Sequence, residues 1–132
     1  MAQPELLLVE DDAVVARSVV RALRSVPYEV SCAATLAEAR RRLDARVYRA
    51  LVLDLGLPDG HGLELARELR LGGRPMPIVV YSGQIDRAAA RAIAELRAIA
   101  LPKPATGDAL RRALTRATAL EGAGRTPTAH AC

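Results

Sequence analysis

Four short apolar runs of the chain are each followed directly by an acidic, hydroxyl or lysine side chain. The runs LLLV, ALVL, IVVY and IALP are followed by Glu10 with Asp11 and Asp12, by Asp54, by Ser82 and by Lys103. Runs of this kind are typical of strands that are covered on both sides of a parallel sheet. Because the carboxyl ends of parallel strands share one edge, we expect these side chains to converge there.

Carboxylates gathered at one edge of a sheet need a cation. Two carboxylates ~5 Å apart repel each other by ~3 kcal/mol at an effective dielectric constant of ~20. Oxygen ligands without a nearby His or Cys favour Mg²⁺. With a hydroxyl and an ammonium group beside them, these residues predict phosphoryl transfer to an aspartate. Lys103 is the only lysine among 19 Lys and Arg residues, which favours a role for its compact ammonium group.

The elements that must position these residues alternate between strand and helix. We predict strands over residues 6–9, 29–33, 50–53, 77–81 and 99–101. Helices are expected over residues 13–25, 35–46, 63–71 and 86–96, and from residue 106 or 108 to about 120, with Asp12 as the most direct cap of the first. This alternation predicts a flavodoxin-like α/β fold, a doubly wound five-stranded parallel sheet in the order 2-1-3-4-5 with five helices.

Length and composition fit one globular domain. The chain has 132 residues, of which 51% are hydrophobic and 26% charged, and this balance excludes a disordered protein. We predict a domain over residues 1–121 and a flexible tail or linker remnant over residues 122–132, where the sequence is GAGRTPTAHAC.

Charge and apolar patterning argue against membrane and nucleic-acid partners. No apolar stretch approaches the ~20 residues that span a bilayer, and the N-terminus lacks the pattern of a secretory signal, so we expect a cytoplasmic protein. The net charge is +4, but the arginines are scattered over helical segments, and tyrosine is the only aromatic residue type. We therefore expect no direct nucleic-acid binding by this domain. Cys32 and Cys132 show no disulfide or metal pattern.

Four motifs together give the chain a family resemblance. VEDD follows the first strand, LDLGLPDGHGLEL surrounds Asp54, YSG closes the fourth strand and LPKP the fifth. In this order and spacing they resemble the receiver domain of bacterial two-component response regulators, over residues 6 to about 120.

The resemblance implies a role for each site residue. Asp54 would accept the phosphoryl group, and Ser82 and Lys103 would bind the phosphoryl oxygens. The resemblance also implies a Mg²⁺ site built from Glu10, Asp11, Asp54 and the backbone carbonyl of Gly56. The bond between Lys103 and Pro104 would be cis, as X-Pro bonds permit at modest cost.

The resemblance also implies partners. A histidine kinase or a histidine phosphotransfer protein would donate the phosphoryl group, and a protein effector would respond, with a phosphorylation-dependent dimer as a further expected assembly. The chain would then catalyse only its own phosphorylation and dephosphorylation and would not be an enzyme in the usual sense.

Two departures from the family pattern concern how a signal leaves the domain. Receivers of this kind usually carry a glycine turn before the fifth strand and an aromatic residue three positions before the lysine. Here those places hold Glu95, Leu96 and Arg97, and then Ala100. A ring-flip switch at Ala100 is excluded, and we expect the fourth helix to run nearly into the fifth strand.

Three alternatives stay open from the sequence. The preferred interpretation is a stand-alone receiver. The chain could instead be a receiver module cut from a hybrid histidine kinase or a longer regulator, or an interaction module that keeps the fold without being phosphorylated. A Mg²⁺-dependent phosphatase of the haloacid dehalogenase type also uses an aspartate nucleophile. That family needs a second Asp two residues later, where this chain has Gly56. His61 is expected to be an exposed loop residue.

Overall fold

The computed structural model describes residues 5–24 and 28–124. Five strands form the main sheet: β1 (Glu5–Val9), β2 (Glu29–Ala33), β3 (Ala50–Leu53), β6 (Ile78–Ser82) and β7 (Ile99–Pro102). Between β3 and β6 a small hairpin adds β4 (Gly56–Leu57) and β5 (Gly60–His61). The helices are α1 (Ala13–Ala22), α2 (Leu36–Ala45), α3 (Gly62–Leu71), α4 (Arg87–Glu95) and α5 (Gly107–Gly124). Within the described ranges, none of them is long and apolar enough to cross a membrane.

The main sheet is parallel and has the predicted topology. Its strand order is β2-β1-β3-β6-β7, which is the predicted 2-1-3-4-5 once the hairpin strands are left out of the numbering. The register aligns Val9 with Leu53 and Ser82 with Pro102, so neighbouring strands end at the same level. The expected flavodoxin-like fold is therefore confirmed.

Alternate residues of each central strand point into two separate cores, one on each face of the sheet. Leu7 and Leu51 face the core that α2, α3 and α4 cover. Leu6 and Val52 face the core covered by α1 and α5. Both faces of the central strands are buried, which explains why the strands carry no polar face in the sequence.

Two helix ends differ from the sequence-based expectation. α1 ends at Ala22, whereas the sequence predicts a helix to about residue 25; residues 25–27 lie outside the described part of the chain. α5 continues to Gly124, although the glycines beyond Leu120 predicted its end and a tail from residue 122. The added turn is held by an ion pair between Glu121 and Arg70, which offsets the low helix propensity of glycine. Residues 125–132 of the predicted tail lie outside the described part.

The connection between α4 and β7 is short, in agreement with the prediction. α4 ends at Glu95, and β7 begins at Ile99. Leu96 donates its backbone N–H to Ala92 at 3.0 Å, and Arg97 then adopts a positive φ of 55°. Arg97 thus holds the left-handed conformation that glycine usually supplies at a helix end.

Candidate functional site

The carboxyl ends of four strands meet at one edge of the sheet and bring the predicted site residues together. Asp54 follows β3, and its backbone N–H donates to Val9 of β1 at 3.0 Å. Lys103 follows β7, and its N–H donates to the carbonyl of Ser82 on β6 at 2.9 Å. Backbone pairing between neighbouring strands therefore places Asp54 and Lys103 at the same edge of the sheet, as the positions of the apolar runs in the sequence predict.

Lys103 lies between two buried carboxylates. Its Nζ is 2.7 Å from Oε1 of Glu10 and 3.1 Å from Oδ2 of Asp54. The side chains of Glu10 and Asp54 are only 2% and 11% exposed, against 21% for Lys103. The ammonium group thus partly neutralises a cluster that would otherwise carry only negative charge.

Glu10, Asp11 and Asp54 form a carboxylate cluster. One oxygen from each lies within 4.8 Å of the others, with Asp11 exposed at the rim. Oxygen donors at this spacing, without His or Cys, fit a hard cation such as Mg²⁺. With three carboxylates against one ammonium, the cluster keeps a negative charge that a divalent cation can neutralise. Gly56 lies two residues beyond Asp54 in β4, half-buried next to the amide of Gln84.

The electrostatics favour an ionised Asp54. Burial raises the pKa of Asp54, but hydrogen bonding from the Ser82 hydroxyl and the Lys103 ammonium outweighs burial and holds that pKa below its ordinary value. Burial raises the pKa of Glu10 above its ordinary range despite its contact with Lys103. Burial acts to lower the pKa of Lys103, but the hydrogen bonds that its ammonium group donates to Glu10 and Asp54 raise that pKa overall. Asp54 is therefore a carboxylate near neutral pH, as a nucleophile must be.

Ser82 is fully buried at the end of β6, beside Asp54. Its Oγ accepts a hydrogen bond from the backbone N–H of Gln84 at 3.2 Å, which leaves the hydroxyl proton for an acceptor oxygen. Asp12 caps α1, and its side chain accepts hydrogen bonds from the N–H groups of Val14 and Val15 at 2.9 and 3.3 Å. The preferred reading of Asp12 as a helix cap is confirmed.

The loop after Asp54 contains two contacts that the sequence analysis missed. Asp59 accepts hydrogen bonds from the N–H groups of Leu36 and Ala37 at 2.8 and 2.9 Å, so the hairpin caps α2. His61 is exposed, as predicted, but its Nδ1 also accepts from Leu63 N–H at 3.2 Å and caps α3. Glu64, three residues after His61, was the available signal, because it completes a capping box.

Tyr81 contacts the segment that carries Lys103. Its hydroxyl accepts a hydrogen bond from the backbone N–H of Ala105 at 3.3 Å, and Lys103 Nζ lies 5.5 Å from the centre of its ring. The bond between Lys103 and Pro104 is cis, as the resemblance implied. Ala100 is half-buried on β7, in register with Val80, and offers no ring for a rotational switch.

Comparisons with known proteins agree with this geometry. The family model described as the response regulator receiver domain matches residues 6–115. The response regulator MprA of Mycobacterium ulcerans is 38% identical over 122 residues, which cover 88% of this chain and 52% of the relative. The transcriptional regulatory protein PmrA of Pectobacterium parmentieri is 34% identical over 80 residues, which cover 61% of this chain and 36% of that protein.

Solved structures agree as well. A putative response regulator from Chloroflexus aurantiacus superimposes with a TM-score of 0.80 at 31% identity, over 89% of this chain and 98% of that one. The chain spans only about half, or less, of the length of the curated relatives it matches. The family model, the relatives and the fold all point the same way, and the chain belongs to the response regulator receiver domain family.

Proposed function

We propose that this receiver domain accepts a phosphoryl group on Asp54 from a phosphohistidine donor in a Mg²⁺-dependent reaction. One observation carries the proposal: an ionised, buried aspartate lies between a lysine, a serine hydroxyl and two further carboxylates at the edge of the sheet. Each of these groups has a use in phosphoryl transfer, which depends mainly on alignment and charge neutralisation.

The transfer step follows from the positions of the groups. An oxygen of Asp54 attacks phosphorus, the bond between phosphorus and the donor's imidazole nitrogen breaks, and that nitrogen keeps the electron pair and takes a proton from solvent. The product is an acyl phosphate on Asp54. Lys103, which contacts Asp54 Oδ2 at 3.1 Å, is in place to pair with a phosphoryl oxygen, and Ser82 is in place to donate its hydroxyl proton.

Glu10, Asp11 and Asp54 would hold Mg²⁺, together with the backbone carbonyl of Gly56. When bound, the ion supplies positive charge that neutralises the carboxylates and the transferring phosphoryl group. Lys103 alone cannot balance three carboxylates and an incoming dianion. The charge count of the cluster therefore supports a Mg²⁺ requirement.

The biological setting follows as part of the same proposal. The donor would be a histidine kinase or a histidine phosphotransfer protein, and the acyl phosphate would bias the domain towards a state that binds a protein effector or a second receiver. Because the curated relatives are about twice as long or more, we place the domain in a longer regulator or hybrid kinase. We expect it to act in the cytoplasm.

The test uses acetyl phosphate with Mg²⁺ and intact-mass detection. We expect one phosphoryl adduct on the parent chain, none on Asp54→Asn, and none when EDTA replaces Mg²⁺. Asp44→Asn is the matched control, because Asp44 is an exposed aspartate on α2 and should leave labelling unchanged. Neutral hydroxylamine should remove the adduct, since it cleaves acyl phosphates but not phosphoserine.

The same experiment separates the proposal from its alternatives. A chain that stays unlabelled while its fold is intact would be an interaction module without phosphorylation. Steady turnover of phosphate esters would instead indicate a phosphatase, although Gly56 occupies the place where that chemistry needs a second acid. An adduct that persists on Asp54→Asn would refute the assignment of the acceptor.

A further inference from the structure

The first residue of α3 lies directly against the backbone of the acceptor. Gly62 is buried, and its N–H donates to the carbonyl of Leu55 at 2.8 Å. A Cβ atom at Gly62 would overlap the carbonyl oxygen of Asp54 and would lie 3.0 Å from the Asp54 carbonyl carbon and 3.1 Å from Leu55 Cα. These neighbours are backbone atoms, so no side-chain rotation can relieve the overlap.

The peptide unit that Gly62 touches also orients the acceptor carboxylate. The carbonyl of Asp54 and the N–H of Leu55 belong to the same planar group. That N–H donates to Oδ1 of Asp54 at 2.7 Å, while Oδ2 contacts Lys103 at 3.1 Å. Tilting this peptide therefore moves the hydrogen bond that holds one oxygen of the nucleophile.

The surroundings give the helix little freedom to move away instead. Leu63, Leu65 and Leu69 anchor α3 in the core, each at most 4% exposed. The hairpin between Asp54 and Gly62 is closed by its own pairing and by the contact of Asp59 with α2. A side chain at position 62 has to be accommodated mainly at the peptide between Asp54 and Leu55.

We infer that Gly62 is a positioning residue for phosphoryl transfer: its lack of a side chain lets α3 support the Asp54–Leu55 peptide that aims the carboxylate. The inference rests on the proposed function of Asp54. Relief of the overlap in Gly62→Ala requires a displacement on the order of 1 Å. A misplacement of that size costs about 100-fold in rate when catalysis depends on alignment.

The experiment follows the initial rate of labelling against acetyl phosphate concentration, with excess Mg²⁺, for the parent and Gly62→Ala. We expect the maximal rate per folded molecule to fall by about 100-fold. The acetyl phosphate concentration that gives half the maximal rate should change by less than about threefold, because Lys103 and Ser82 bind the phosphoryl oxygens even when the Asp54 carboxylate is misoriented. A purely structural role for Gly62 would leave the rate per folded molecule at the parent value.

Two control variants separate positioning from stability. Gly122→Ala makes the same chemical change where nothing lies within 4 Å, and should label at the parent rate. Leu43→Ala removes a buried side chain of α2, 4% exposed, and should lower stability without slowing the labelling of folded molecules. The folded fraction of each variant is measured by far-ultraviolet circular dichroism under the labelling conditions.

Each outcome decides the matter. Labelling of Gly62→Ala at the parent rate would overturn the inference and leave the proposed function intact. A parent chain that takes no phosphoryl group would overturn both. Should Gly62→Ala not fold, the parent and Gly62→Ala are compared again in an Arg97→Gly background, which relieves a positive φ in the connection between α4 and β7. Failure to fold there as well would show that the overlap is not absorbed at the acceptor peptide, and would count against the inference.

Discussion

Replacing Lys103 by methionine should destabilise the domain in a way that depends on pH and Mg²⁺. The substitution removes the ammonium group 2.7 Å from Glu10 and 3.1 Å from Asp54, but keeps an unbranched side chain of similar length. What remains is a cluster of three carboxylates with oxygens within 4.8 Å of one another. Two of the three are buried, so water screens them poorly.

The size of the effect follows from Coulomb's law. At 4.8 Å a pair of unit charges repels by ~3 kcal/mol at an effective dielectric constant of ~20, and by ~1 kcal/mol in bulk water. In the parent the ammonium group of Lys103 offsets this repulsion through its ion pairs with Glu10 and Asp54. Removing one partner of a mostly buried ion pair leaves uncompensated charge, so we expect a loss of about 3 kcal/mol in the free energy of unfolding at pH 7.5 in EDTA. Lys103→Arg keeps the charge and should lose less than about 1 kcal/mol.

The sign of the pH dependence follows from the same charges. Without the ammonium group, the folded-state pKa values of the buried carboxylates rise above their unfolded values of ~4. Folding then favours the protonated acids, so the loss is absent below about pH 4 and develops as the pH rises through the raised folded-state pKa values. Mg²⁺ should restore more stability to the variant than to the parent, because it binds only the folded cluster.

The assay is urea unfolding followed by far-ultraviolet circular dichroism, at pH 7.5 and pH 4, with EDTA or with Mg²⁺. The reasoning fails if Lys103→Met equals the parent in EDTA at pH 7.5, or if its deficit is as large at pH 4. It also fails if Mg²⁺ stabilises both chains equally.

Three further predictions concern residues away from the cluster. Arg70→Met should lower the free energy of unfolding by about 3–5 kcal/mol, because it leaves the Glu121 carboxylate buried without its partner. Glu121→Gln should lower it by only about 1–2 kcal/mol, because Arg70 keeps its backbone carbonyl acceptors. Equal losses of the two variants in urea unfolding would contradict this. Hydrogen bonds from Leu36 and Ala37 N–H hold the pKa of Asp59 below its ordinary value, so its contribution is present above about pH 4 and is lost as the pH falls. Asp59→Ala should therefore show a flatter fall of Tm between about pH 5 and pH 2 than the parent, and parallel curves would refute it. Arg97→Gly should raise stability by about 0.5–1 kcal/mol, because it relieves a φ of 55°, and a lower Tm would count against that account.

The fold and the core of the site were predictable because local and global signals agree there. Four apolar runs are each followed by an acidic, hydroxyl or lysine side chain, and a parallel sheet brings the ends of these runs to one edge. The sequence therefore predicts that Glu10, Asp54 and Lys103 lie side by side, as they do. The cap at Asp12 follows from short-range spacing and is also confirmed.

Most of the features that were missed depend on partners far away in the chain, whereas the cap at His61 had a local signal in Glu64. Asp59 contacts residues more than 20 positions earlier, which no periodicity within a helix or strand reveals. The end of α5 was placed too early because Gly122 and Gly124 are poor helix formers, whereas the pairing of Glu121 with Arg70 prevails over that preference. The close approach of Gly62 to the peptide between Asp54 and Leu55 depends on how two backbone segments pack in three dimensions, which no local sequence pattern reveals.

The ion pair between Glu121 and Arg70 also affects the choice of the C-terminal boundary when this domain is expressed as a fragment. Arg70 is 9% exposed, and besides Glu121 it contacts the carbonyls of Leu96 and Arg74 at 2.8 and 3.0 Å. A fragment that stops at Leu120 deletes the carboxylate and leaves the guanidinium group of Arg70 with only its backbone carbonyl acceptors. A fragment that stops at Gly124 keeps the ion pair, so we expect it to be the more stable of the two.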